Sequence, residues 1–356
     1  MDLETRRKSR QLNLGGVKIG GGAPVSVQSM TKTDTRDVEA TVGQIEDLAR
    51  AGCDIVRVAV VDSEAAEAVR QITARSSIPL VADIHFDYKL ALSCIENGID
   101  GLRLNPGNIG SEDRVEMVAR RAQEKGIPIR IGVNSGSLEK SILARYGGVT
   151  AEAMVESALT HIGILERVGF FDIKVSLKAS SVPLMIDTYR RLASRVDYPL
   201  HLGVTEAGTR RVGTVKSAIG IGVLLESGIG DTIRVSLTGP PVEEVRVGRE
   251  ILKSLGLMEA GPEIISCPTC GRCEIDLVDV AERLEEAIAD LKTPLKIAVM
   301  GCTVNGPGEA RQADVGLAGG KGVGLIFREG QPRYKVKQGE MLNALLKEIR
   351  EMSGQP

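Results

Sequence analysis

From about residue 25 the chain repeats one unit: a short β-branched apolar run, a polar loop, then a segment whose apolar residues recur at helical period. The runs are PVSVQSM (24–30), DIVRVAV (54–60), PLVADIHF (79–86), GLRLNPG (101–107), IPIRIGVNSG (127–136), FDIKVSLK (171–178), PLHLGVTEAG (199–208) and TIRVSLTGP (232–240). Between them, EATVGQIEDLARAG and SEDRVEMVARRAQEKG read as amphipathic helices, the second closed by a glycine suited to a helix C-terminus. Eight such units within roughly 250 residues predict an α/β protein built on a (β/α)₈ TIM barrel. An open doubly wound sheet would place a G-x-G-x-x-G turn between its first strand and helix. The early glycine cluster, VKIGGGAPV, lies instead between two short extended runs and reads as a hairpin turn.

The rhythm stops after residue 256. Residues 257–262, which include Gly261 and Pro262, read as a linker between a barrel domain (1–256) and a small α+β domain (263–356). The second domain shows a helix (DLVDVAERLEEAIADL), a strand (LKIAVMGC), a glycine-rich hairpin (ADVGLAGGKGVGLIF) and a final helix (GEMLNALLKEIREM). Its GGKGVG misses the spacing of a phosphate loop and is read as a turn.

Composition excludes several classes. The 45 basic and 47 acidic residues nearly cancel, and there is no Trp and only 3% aromatic residues. No global field draws the chain to nucleic acid or an anionic membrane, and few rings offer base-stacking platforms. The N-terminus MDLETRRKSRQLNLGG lacks the apolar run of a secretory signal, and no stretch approaches the ~20 apolar residues of a membrane span. A cytoplasmic protein is expected, in which clustered cysteines serve metal or redox chemistry rather than disulfides.

The strands carry the first chemical signal. Inward barrel positions should be Val, Ile and Leu, yet several strands repeat polar residues at a spacing of two, on one face. Arg103 pairs with Asn105, Asp83 with His85, Lys174 with Ser176 and Lys178, and Arg234 with Ser236. Arg57, Arg130, Asn134, His201 and Glu206 hold comparable places, most of them toward the strand end where barrel active sites lie. A single arginine at a strand end is usually a solvated rim residue. Arg57, Arg103, Arg130, Lys174, Lys178 and Arg234 together are harder to dismiss, because burying unpaired like charges costs several kcal/mol each. A di- or polyphosphate at the barrel mouth would neutralise them. Glu206, in TEAG, fits equally a counter-ion and a general acid/base. His161 reads as helix packing, and Cys53 and Cys94 as small buried hydrophobes.

The second signal is SCPTCGRC. Cys267 and Cys270 have the C-x₂-C spacing that presents two thiolates to one centre, and Cys302 follows in MGCTVNGPGEA at a strand end. Structural zinc would show a second knuckle; here the distal half offers one cysteine and no histidine, so an iron–sulfur cluster is favoured. On the residues alone the fourth ligand is Cys273, with Glu309 a distant second choice.

In order along the chain, VQSMT, DIHF, LRLNPGN, GVNSGSL, HLGVTEAG, GIGDTIRVSLTG, SCPTCGR and GCTVNGPGEA resemble the 4-hydroxy-3-methylbut-2-enyl diphosphate synthases of the non-mevalonate isoprenoid pathway, in their compact bacterial form. The resemblance spans nearly the whole chain. It implies a barrel joined to a [4Fe–4S] domain, and reductive ring opening and dehydroxylation of 2-C-methyl-D-erythritol 2,4-cyclodiphosphate. It implies cluster ligands at Cys267, Cys270, Cys302 and Glu309, and no role for Cys273. It further implies that Arg57, Arg103, Arg130, Lys174, Lys178 and Arg234 hold the diphosphate, helped by Asn105, Asn134, His201 and Ser236. Asp83 and Ser176 count among the binding residues, Glu206 handles a proton, and Asn305 orients substrate near the cluster. Flavodoxin or ferredoxin would deliver the electrons. A six-residue linker is short for folding the small domain onto its own barrel, and the resemblance implies a homodimer in which each cluster domain caps the partner's barrel.

Overall fold

The computed structural model describes residues 6–258, 261–289 and 291–354. The chain divides into two units at Met258/Glu259.

In the first unit, β1 (Leu12–Leu14) and β2 (Val17–Ile19) form an antiparallel hairpin. Eight parallel strands follow: β3 (Ser26–Met30), β4 (Ile55–Ala59), β5 (Leu80–Asp83), β6 (Gly101–Arg103), β7 (Ile129–Asn134), β8 (Ile173–Lys178), β9 (His201–Leu202) and β10 (Thr232–Ile233). Their order, β8-β7-β6-β5-β4-β3-β10-β9, is closed into a barrel by a parallel bridge between Val175 and Leu200. All eight fall within the runs expected from the sequence. The glycine cluster is a correction. The hairpin turn is Gly15–Gly16, whereas Gly20–Gly22, at φ of 76°, 60° and 85°, lead out of β2 toward a β3 that does not pair with it.

Helices follow the strands around the outside, from α1 (Val38–Arg50) through α2 (Ser63–Arg75), α3 (Tyr88–Glu96), α4 (Glu112–Lys125), α5 (Lys140–Tyr146), α6 (Ala151–Arg167), α7 (Val182–Ala193) and α8 (Arg210–Glu226) to α9 (Pro241–Ser254). Local chemistry sets their ends: Asp37 accepts from the Ala40 N–H to cap α1, and Gly126, at φ 67°, closes α4. Val42, Ile45 and Leu48 of α1 recur at helical spacing and bury against the barrel.

The second unit carries a five-stranded sheet, β11 (Glu263–Ser266), β12 (Lys296–Met300), β13 (Val315–Gly320), β14 (Val323–Arg328) and β15 (Gln331–Lys337), in that order. The first three are parallel and the last three antiparallel. With α10 (Leu277–Ala287), the short α11 (Gly306–Ala310) and α12 (Met341–Ser353) they bury Leu284, Val299, Leu317 and Leu345. GGKGVG forms the tight turn between β13 and β14, with Gly320 opposite Val323. Among the described residues, no helix is long and apolar enough to cross a membrane.

Candidate active site

Parallel strands of a closed barrel present one face inward, so the residues at spacing two become a stack of side chains inside it. At the centre of the upper stack is Asp83, the last residue of β5. Its carboxylate takes Arg103 Nη1 at 3.0 Å on one oxygen and Arg57 Nε at 3.5 Å on the other, with His85 Nε2 at 3.7 Å. Burial alone would raise the Asp83 pKa; the fields of Arg57, Arg103, Arg130 and His85 outweigh it and bring it to about 2. Arg57 also donates to the Met30 sulfur, 3.0 Å from Nη2.

Arg103 is fixed from the next strand. Its Nη2 donates to the Gly132 carbonyl at 2.9 Å, and the Asn105 amide both donates to that carbonyl and accepts the Gly132 N–H at 2.8 Å. A Cβ at residue 132 would lie 2.6 Å from Arg103 Nε, so glycine leaves the space the guanidinium occupies. Gly132→Ala is expected to displace Arg103 and lower kcat/KM by about 10- to 100-fold, the loss of one or two charge-assisted hydrogen bonds. Parent-like kinetics in that variant would remove Arg103 from the site.

Arg234, half-buried, reaches Glu244 of α9 at 3.5 Å. Glu244 also accepts from Ser29 Oγ at 3.2 Å and the Leu237 N–H at 3.1 Å, and lies 3.6 Å from Lys32 Nζ. Sequence reasoning missed Glu244, since PPVEEV reads as ordinary acidic residues in a first helical turn. Arg57, Arg103, Arg130, Lys178 and Arg234 thus outnumber the buried carboxylates Asp83 and Glu244, and Arg103 Nε and Arg234 Nε have no partner. Surplus positive charge and orphan N–H donors together make an anion site.

Lys178, the last residue of β8, is buried, and a Cβ on Gly203 would stand 2.9 Å from its Nζ. Burial, then Arg234, Arg130, Arg57 and Arg103, push its pKa well below the ordinary 10.5. In the interval below 10.5 the unfolded chain therefore binds the extra proton, and this group makes the fold more stable as pH rises through it. Unfolding midpoints measured from neutral pH toward the lysine range should climb more steeply for the parent than for Lys178→Met. A bound diphosphate raises the Lys178 pKa again, so binding should take up protons, read by calorimetry in buffers of different ionisation heat.

Asn134 and Ser236 are half-buried, Asn134 at the upper end of β7 and Ser236 just beyond β10. Ser176 and His201 sit lower, inside the barrel. His201 Nδ1 is 2.5 Å from Thr232 Oγ1, and burial, helped by Arg130, Lys178, Lys174 and Arg57, holds the imidazole neutral. Lys174 is not brought to the mouth. It is the second residue of β8, level with Arg130, and its Nζ faces a cavity at the lower end of the barrel. Glu206 stands in the loop after β9, exposed, with φ 51°. It makes no ion pair among the described residues, so the geometry does not show the counter-ion role.

In the second unit, Cys267 and Cys302 leave the same end of neighbouring parallel strands: Ser266 pairs with Val299, and the Cys267 N–H donates to the Val299 carbonyl at 3.2 Å. Backbone N–H groups of Asn305, Val304 and Gly306 surround the Cys302 sulfur, and those of Asn305 and Val304 chiefly lower its pKa. Cys270 is exposed on the intervening loop. Cys273 turns the other way: its thiol donates to the Ile275 carbonyl at 3.3 Å and packs against Gly301, where a Cβ would lie 2.4 Å from the sulfur. Glu309 is exposed on α11, and Asn305 immediately precedes that helix. Among the described residues no three His, Cys, Asp or Glu side chains are drawn together as a metal cage. The donor chemistry nevertheless fits an iron–sulfur group, with a thiolate-stabilising nest at Cys302 and two further thiols on an adjacent loop.

Comparison with known proteins agrees with both halves. The chain is 59% identical over 350 residues to the 4-hydroxy-3-methylbut-2-en-1-yl diphosphate synthase (flavodoxin) of Caldanaerobacter subterraneus subsp. tengcongensis, covering 98% of this chain and 99% of that protein. It is 61% identical over 344 residues to the protein of the same name from Geobacter sulfurreducens, covering 97% of this chain and 98% of that one. Among solved structures, 7,8-dihydropteroate synthase from Vibrio fischeri matches 70% of this chain and 99% of its own at 13% identity and a TM-score of 0.50, a likeness of barrel fold alone. The model of the GcpE TIM-barrel domain matches residues 9–249 and that of the GcpE protein C-terminal domain residues 263–351, and the chain belongs to the GcpE family.

Proposed function

We propose that this chain is an iron–sulfur oxidoreductase that opens the ring of 2-C-methyl-D-erythritol 2,4-cyclodiphosphate and releases (E)-4-hydroxy-3-methylbut-2-enyl diphosphate. The observation that carries the reading is the cationic cluster around Asp83, whose surplus charge and unpartnered Arg103 and Arg234 N–H groups suit a small diphosphate. The conversion takes up two electrons and two protons; a ring C–O bond breaks and one hydroxyl leaves as water.

Arg57, Arg103, Arg130, Lys178 and Arg234 hold the diphosphate, and Asn105, Asn134 and Ser236 complete its hydrogen bonds. Asp83 keeps Arg57 and Arg103 oriented, and Ser176 and neutral His201 form the floor below them. Glu206, unpaired and exposed in its loop, delivers a proton to the departing oxygen. Cys267, Cys270, Cys302 and Glu309 would hold a [4Fe–4S] cluster, with Asn305 orienting substrate beside it. Such a cluster supplies electrons singly, and a carboxylate ligand, harder and more exchangeable than thiolate, leaves one iron open to act as a Lewis acid.

Flavodoxin, named for the relatives, is the proposed electron donor. A homodimer rests on the family resemblance, and a cytoplasmic setting suits six free thiols.

The test is anaerobic purification, absorption and reduced-state EPR, then the cyclic diphosphate with a chemical reductant. Substrate-dependent spectral change and linear allylic diphosphate are expected. A colourless zinc protein, or a cluster indifferent to substrate with no product, would sink the proposal.

A further inference from the structure

The lower end of the barrel holds a second polar site that this reaction does not use. Leu12, Leu14 and Ile19 of the β1–β2 hairpin pack against Ile55 and Val81, closing the barrel floor. Beneath them is an enclosed space with room for one water-sized sphere, bounded on its polar side by Gln28, Arg130 and Lys174. These three are 2%, 3% and 2% exposed. Gln28 Oε1 accepts from Arg130 Nη1 at 3.2 Å, which fixes the amide and leaves its Nε2 as a donor. Gln28 Nε2, Arg130 Nε and Lys174 Nζ all lack partners. Asp231, the carboxylate whose field reaches Lys174, is already taken by Arg6 at 3.4 Å, Arg7 at 3.7 Å, Ser9 Oγ at 2.9 Å and the Leu200 N–H at 2.8 Å.

We propose that this cavity binds one monatomic anion, chloride, between Lys174, Arg130 and Gln28. The donor inventory decides between chloride and water. Three donors converge and no lining side chain offers a free acceptor, so a water could accept from two of them while its own hydrogens faced Leu12, Leu14 and Ile19. A halide accepts from all three and brings no proton to place. It also compensates two buried cations, which otherwise carry their charge without a counter-ion. Phosphate and other oxyanions are too large for the space. The site lies at the strand ends opposite the mouth, four residues along β8 from Lys178, so its occupancy does not depend on the diphosphate reading.

The probe is bromide. Crystals of the full chain grown with sodium bromide should show an anomalous peak inside the cavity, in contact with Lys174 Nζ and Arg130 Nε. Density there without anomalous signal, or bromide found only at the surface, would overturn the proposal. In solution, at fixed ionic strength, exchanging chloride for methanesulfonate should lower the parent's unfolding midpoint by several degrees. Lys174→Met, similar in length but uncharged, should erase that difference, and its persistence would equally count against the site. The crystallographic arm uses the unaltered protein and stands even where Lys174→Met fails to fold.

Discussion

Cys270→Ser is expected to abolish both the iron–sulfur chromophore and turnover, whereas Cys273→Ser keeps both near the parent's level. Serine preserves the shape of each side chain and removes only the thiolate, so the pair separates ligand from neighbour. Cys270 is exposed on its loop, free to meet a metal centre. Cys273 is half-buried, its thiol committed as a donor to the Ile275 carbonyl at 3.3 Å, and its N–H bonded to the Cys270 carbonyl at 2.9 Å. A hydroxyl can take over the bond to Ile275, so the stability loss should stay within about 1 kcal/mol. Anaerobic iron and sulfide content, measured beside activity, reads both variants. An iron-poor, inactive Cys273→Ser protein would restore the four-thiolate set and make Glu309 a bystander.

The barrel was legible because its strands are β-branched runs at regular intervals, each followed by a helix with one apolar face. What the runs did not show was where pairing stops. PLHLGVTEAG and TIRVSLTGP yield only His201–Leu202 and Thr232–Ile233 as strand, and their remaining residues become the loops that carry Glu206 and Ser236. Gly203 explains part of this: a Cβ there would stand 2.5 Å from the Arg234 carbonyl, so two chains approach too closely for a regular ladder. In the second unit, β11 and β15 went unread. QPRYKVK has a proline and three basic residues on an exposed edge, the composition that protects an edge from unwanted pairing, and only its partner β14 makes it a strand.

The site divides the same way. Spacing of two placed Lys174, Ser176 and Lys178 on one face, and the structure agrees; depth along the barrel axis is not encoded in that spacing. Lys178 therefore sits with Arg57, Arg103 and Arg234, while Lys174 lies over the floor cavity. Residues that support the cations were invisible for another reason. Gly132 matters by the absence of a side chain, Met30 lends a sulfur, and Glu244 arrives from a helix more than 200 residues from Ser29. None of these has a local signature; each acquires its role only when the barrel closes.

Glu206→Gln is expected to reduce kcat by about 10²- to 10⁴-fold, the usual weight of a positioned proton donor, while leaving diphosphate affinity within a few-fold. The carboxylate makes no ion pair among the described residues, so its removal unbalances no neighbouring cation. The backbone adds an independent reason to look here. Glu206 is one of three non-glycine residues at positive φ among those described, at 51°, a conformation that costs an L-residue roughly 1–2 kcal/mol. Nothing in the local packing requires a long side chain at an exposed loop position, so a residue selected for stability alone would be glycine. Glu206→Gly should accordingly lose activity as fully as Glu206→Gln while unfolding at the same temperature as the parent or higher, since the relieved strain exceeds the roughly 0.5–1 kcal/mol of added chain entropy. Thermal unfolding and single-turnover kinetics on the two variants test this together. A Glu206→Gly protein that is less stable but still active would mean that the glutamate serves the loop rather than the reaction.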